Sequence, residues 1–160
     1  MIIKKYSCEI LISFLFLSLL FYSSDPIFYE DSNRYLRGYS REVPLYSIII
    51  NILLSTFNSI NSVIVFQTIF LCAAIIFFAR TISVQFNLSL VPKIFVAIFL
   101  FLPTIKFYNY LLTEPLSFAL SLLFISFIIK LIYNFKFLNL VLSALFIIAL
   151  LLVRKQFIIL

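Results

Sequence analysis

Apolar residues run almost unbroken through five stretches of this chain, at about 6–22, 61–79, 91–108, 115–132 and 137–153, and short polar connections separate the last four. A helix needs about 20 such residues to cross a ~30 Å hydrocarbon layer, so the pattern predicts five spanning helices. Pro92, Pro103 and Pro115 fall near the ends of runs, where a helix tolerates the missing N–H. Between the first run and the second lies a different pattern. Residues 24–44 form the one extended polar stretch, and from Pro44 to Asn58 the polar positions are Ser47, Asn51, Ser55 and Asn58. Their spacing of four, four and three draws one stripe along a helix. Such an amphipathic helix either lies in the interface or spans with its stripe turned towards other helices.

Composition strengthens this picture. Of 160 residues, 64% are hydrophobic and 11% charged, and the mean hydropathy is +1.20, far from the balance of a water-soluble domain. The expected fold is an all-α integral membrane protein: about five transmembrane helices plus an interfacial helix after the first exterior loop, as one domain over 1–160. With no His, no Trp and one Gly, the chain has no imidazole base, no histidine metal ligand and no glycine-rich phosphate loop. A cofactor is not specified; a divalent cation would have to rely on carboxylates. The net charge of +6 comes from basic residues scattered between apolar runs, which fits membrane topology and headgroup contact and not nucleic acid. Cys8 and Cys72 sit inside apolar runs and read as small buried hydrophobes. Asn87-Leu88-Ser89 matches a glycosylation acceptor but falls on the wrong side of the topology below. The first run lacks a small-residue cleavage site after Tyr22, so an uncleaved anchor is expected.

Basic residues decide between the two readings of 44–58. With the amino terminus inside and 44–58 flat, Lys4, Lys5, Arg80, Lys93, Lys130 and Lys136 lie inside. Outside fall Arg34, Arg37, Arg41, Lys106, Arg154 and Lys155. Setting aside the loop arginines and Arg154-Lys155 as ligand groups leaves Lys106 alone outside, a strong inside bias. The spanning alternative gives no such bias, so the flat case is adopted, in a multi-pass plasma or inner membrane.

Four of the six acids, Asp25, Glu30, Asp31 and Glu42, lie in the 24–44 loop with three arginines. Wound as a helix, Asp31, Arg34, Arg37 and Arg41 share an arc of about 120°, one carboxylate beside three guanidiniums. That face suits an anion held by forked donors with an acid left to take a proton. A solvated loop helix whose arginines touch lipid phosphates has the same pattern. Glu114 is the second acid. In Leu112-Thr113-Glu114-Pro115-Leu116 it stands at a predicted helix start, with Thr113 as cap and Pro115 in the first turn, beside a strongly apolar run. An ordinary helix-start charge is the alternative. Lys106, Arg154 and Lys155 fall on the same side; basic residues at helix ends are usually interface anchors, with a ligand-binding role as the alternative.

The order of Asp31-Ser-Asn-Arg-Tyr35, Pro44-Leu-Tyr46, Leu112-Thr-Glu-Pro-Leu116 and Leu152-Val-Arg-Lys155 resembles the amino-terminal portion of GT-C-type membrane glycosyltransferases. That superfamily includes protein O-mannosyltransferases and aminoarabinose transferases. The resemblance implies transfer of a sugar from a polyprenyl phosphate to an acceptor on the exterior face. It implies Asp31 and Glu114 as catalytic acids, with Glu30, Arg34, Tyr35, Arg37, Arg41, Lys106, Arg154 and Lys155 around the substrate. Many relatives carry an Asp-Glu pair where this chain has Asp31-Ser32, preceded by Glu30. They are also longer, so the resemblance implies a truncated product, a degenerate relative, or one piece of an enzyme completed by a second polypeptide. The rival class is a non-enzymatic membrane protein, a fragment or an assembly subunit. Under the flat topology, Asp31 and Glu114 should share a cleft bordered by Arg34.

Overall fold

Long apolar runs satisfy their backbone away from water within a single segment by winding into helices. The computed structural model of the chain describes residues 2–21, 27, 32, 35–36, 44–106 and 111–154, with side chains at 2–8, 19–21 and 106 left aside. Its described elements are α1 (Ile2–Phe21), α2 (Pro44–Phe57), α3 (Ile60–Gln85), α4 (Leu90–Phe101) with a 3-10 turn over Leu102–Lys106, α5 (Glu114–Tyr133) and α6 (Phe137–Val153). Among the described residues the sole β feature is an isolated bridge at Ile27.

Several boundaries differ from the expected runs, each for a local reason. α3 continues past the apolar run to Gln85, because nothing breaks it until Asn87 enters the left-handed region at φ 49°. There Leu88 N–H bonds Ser83 C=O at 3.0 Å, closing the helix end as a Schellman turn. Asn87 is therefore a helix stop. α4 ends at Phe101, since Pro103 cannot continue the ladder, and the chain tightens into the 3-10 turn. Asn58 lies beyond α2 at φ 48°, making the turn into α3, so it is not part of the helical stripe.

α3 and α5 are long and apolar enough to cross a membrane, at 26 and 20 residues, or about 39 and 30 Å of helix. α1 is a 20-residue helix whose side chains are described only over Glu9–Ser18, and α4 with its extension (Leu90–Ile105) and α6 are shorter within the described residues. Among the described residues, two of the five expected spans thus reach full length. At 14 residues α2 is about 21 Å long, short of a crossing. It buries Tyr46, Ser47 and Ile50 and leaves Asn51 and Ser55 exposed, so most of its stripe points away from the other helices.

α5 lies at the centre, packed most extensively on α3 and α6. Gln67 meets Leu112 and Phe77 meets Phe127, so α3 and α5 run parallel. Phe127 stacks on Phe146 and Arg154 reaches Glu114, so α6 runs back antiparallel. α1 and α4 are parallel to each other, with Glu9 on Lys93 and Phe16 on Phe101. One end of the bundle thus gathers the C-termini of α1, α4 and α6 and the N-terminus of α5. The other gathers Arg80, Lys93, Lys130 and Lys136.

The interior combines large aliphatic side chains with polar and small ones, and many large apolar side chains face outward. Buried positions include Gln67, Thr68, Ala74, Ala79, Ala97, Ser117, Ala119, Ser126 and Ser143, while Phe95, Phe99, Ile132, Phe137 and Leu145 are exposed. Thr68, Thr81, Ser117 and Ser126 bond the carbonyl four residues back, which satisfies their hydroxyls within one helix. Small residues at helix contacts let backbones approach closely where no water drives association.

Candidate functional site

At the end opposite the basic cluster, three strands of chain are tied to the segment that precedes α5. Leu111 N–H donates to Ile27 C=O at 3.4 Å, and buried Ser32 Oγ donates to Leu111 C=O at 2.8 Å across 79 positions. From α3, Gln67 Nε2 donates to Leu112 C=O at 2.8 Å and to Tyr46 Oη at 2.9 Å. Tyr46 is fully buried and meets Tyr35 edge-on at 5.0 Å. Burial pushes its phenol far above the ordinary value, which the Gln67 donor partly offsets. The first loop, α2 and α3 are therefore anchored to one short stretch, 111–113, immediately before Glu114.

Glu114 opens α5, with Pro115 in the first turn as expected. Thr113 stands at the cap position but its hydroxyl makes no capping bond. Its backbone carbonyl instead accepts both Ser117 N–H and Ser117 Oγ–H at 2.8 Å. Arg154, at the end of α6, places Nη2 3.5 Å from Glu114 Oε1, with both side chains about one-third exposed. Glu114 Oε2 is buried without a hydrogen-bond partner among the described residues. Both residues line a cleft of about 230 Å³ whose walls are Leu71, Pro103, Pro115 and Phe118, with Thr104, Ser117 and Ser121 as its other polar lining. The arrangement is an acid and a guanidinium at an apolar slot. It suits a ligand with an anionic head for the arginine and an apolar tail for the walls.

Of the residues singled out from sequence, the structure brings together Glu114 and Arg154, and sets Tyr35 on Tyr46 at the same end. The backbone of Lys106 closes the 3-10 turn that also supplies Pro103 and Thr104 to the cleft. Glu30, Asp31, Arg34, Arg37, Arg41 and Lys155 lie outside the described residues, as does the expected approach of Asp31 to Glu114. Ser32, the neighbour of Asp31, is nevertheless bonded three positions before Glu114. No group of three His, Cys, Asp or Glu side chains able to hold a metal occurs among the described residues.

Sequence reading missed the residues that position this end: Gln67, Tyr46 and Ser32. Gln67 did carry a signal, a carboxamide within an apolar run, where polar side chains join helices. It also missed the partner of Glu9. Lys93 Nζ sits 2.9 Å from Glu9 Oε1, so the acid that interrupts the first run is paired across to α4. No family model, curated protein or solved structure matches this chain.

Proposed function

We propose that the chain is a multi-pass, GT-C-like glycosyltransferase module of a plasma or inner membrane, handling a sugar carried on polyprenyl phosphate. The observation that carries this reading is the Glu114–Arg154 pair at the mouth of an apolar cleft. In this reading Arg154 receives the phosphate, Leu71, Pro103 and Phe118 border the lipid, and a carboxylate takes the proton of the attacking acceptor hydroxyl. Positive charge on the arginine stabilises the negative charge that grows on the departing phosphate. Asp31 and Glu114 are the two proposed acids, with Glu30, Arg34, Tyr35, Arg37, Arg41, Lys106 and Lys155 around them. The anchoring of Ser32 beside 111–113 supports bringing the loop and Glu114 to one site.

A second reading rests on the same pair. Glu114 and Arg154 join the start of α5 to the end of α6, as a structural clasp in a non-enzymatic membrane protein would. Membranes containing the full chain, supplied with a polyprenyl-phosphate-linked hexose, separate the two. The enzymatic reading predicts release of polyprenyl phosphate, reduced at least about 100-fold by Asp31→Asn or Glu114→Gln. No release, or unchanged release in both variants, leaves the clasp.

A further inference from the structure

The opposite end of the bundle holds a second cavity that sugar transfer does not use. It measures about 270 Å³. Its lining is Gln85 from the end of α3, Lys130 and Asn134 from the end of α5, and Lys136 and Asn139 from the start of α6. Every one of these side chains is polar or cationic. Around them the surface is apolar: Phe86, Tyr133, Phe135, Phe137 and Leu138 are all exposed. Tyr133 in this rim is of the residue type enriched where hydrocarbon gives way to headgroups.

Among the described residues these charges have no acidic counterpart. Lys130 Nζ rests 3.9 Å from the centre of the Phe77 ring and 5.2 Å from that of Phe127. Arg80 acts on it as a neighbouring like charge. The described carboxylates are Glu9 and Glu114; the first is taken by Lys93 and the second stands at the far end. Neither Lys130 nor Lys136 has an acidic partner among the described residues. Asn139 Nδ2 donates to Asn134 C=O at a long 3.4 Å.

Two ammonium groups and three carboxamides around a cavity, with no carboxylate among the described residues, offer positive charge and N–H donors to a phosphate ester. We propose that this cavity binds the phosphate of an anionic headgroup, with Lys130 and Lys136 holding its charge and Gln85, Asn134 and Asn139 donating to its oxygens. The site stands independently of the sugar-transfer reading, because it shares no residue with the Glu114 cleft.

Native mass spectrometry of the purified full chain with dioleoylphosphatidylglycerol and dioleoylphosphatidylcholine tests it. The anionic lipid should bind in preference, and Lys130→Gln with Lys136→Gln should weaken it about thirtyfold while leaving the zwitterionic lipid unchanged. Lys130→Arg with Lys136→Arg should restore preference. Competition with inorganic phosphate distinguishes the source: displacement at millimolar concentration assigns a free phosphate, and resistance assigns a lipid, either keeping the site. Should the glutamine variant not fold, reductive methylation of the wild-type protein replaces it. There, the anionic lipid alone should protect Lys130 and Lys136. Equal binding of both lipids, unchanged binding by the folded glutamine variant, or no protection of the two lysines would overturn the proposal.

Discussion

At the scale of single residues, the polar groups that matter most are those for which water is absent. Tyr46 and Gln67 are both buried, and each supplies the other with a partner 2.9 Å away. Replacing Tyr46 by Phe should cost about 1 kcal/mol, since Gln67 keeps its bond to Leu112. The loss should also depend on pH. Below the ordinary tyrosine value near 10, folded and unfolded chains both keep the phenol protonated and the full stability is present. Above it the unfolded chain ionises while burial keeps the folded phenol protonated, so stability falls as pH rises. Thermal unfolding in detergent should therefore show the wild-type advantage over Tyr46→Phe shrinking from about pH 8 to about pH 11, and a constant difference would refute this. The Glu9–Lys93 pair is largely buried, at 17% and 11% side-chain exposure. Lys93→Met should cost about 3 kcal/mol by leaving the Glu9 carboxylate buried without its cation, and adding Glu9→Gln should recover most of it. Additive losses in that cycle would show the two groups are not coupled. None of these partnerships could be read from sequence, because each joins positions 21 to 84 apart and depends on which helices become neighbours.

At the scale of elements, the existence of helices was legible and their ends were only partly so. Apolar run length and the missing interior Gly and Pro place α1, α3, α5 and α6, and Glu114-Pro115 marks the start of α5. The end of α3 was misjudged, because hydropathy falls at Arg80 whereas a helix stops where its backbone turns. Asn87 makes that turn at positive φ. Asn87→Ala should destabilise by about 1 kcal/mol and Asn87→Gly should be neutral or better, measured as changes in thermal midpoint. Equal effects would mean the turn needs the asparagine side chain itself. On α2 the stripe residues Asn51 and Ser55 are exposed together with Ile48 and Ile52, whereas Ser47 is buried against the bundle with Tyr46. Periodicity could not tell these apart, since serine serves equally at a wet surface and at a close helix contact.

At the scale of the whole molecule, the chain has two unlike ends. One joins Ile27, Ser32 and the 3-10 turn to Glu114 and Arg154; the other collects Arg80, Lys93, Lys130 and Lys136. Basic-residue bookkeeping in the sequence anticipated this grouping, because charge bias across a bilayer is a property of the whole chain and survives errors at helix ends. The cleft was not legible, since it depends on α4 stopping at Phe101 so that Pro103 and Thr104 face α5. Site-directed labelling with a membrane-impermeant maleimide tests the arrangement, after replacement of Cys8 and Cys72, in sealed vesicles of known orientation. Ile27→Cys and Ile105→Cys should both label from the exterior, whereas Asn87→Cys and Phe135→Cys should label only after the membrane is opened. Exterior labelling at Asn87, or opposite faces for Ile27 and Ile105, would contradict a site formed by the first loop and Glu114 on one side of the membrane.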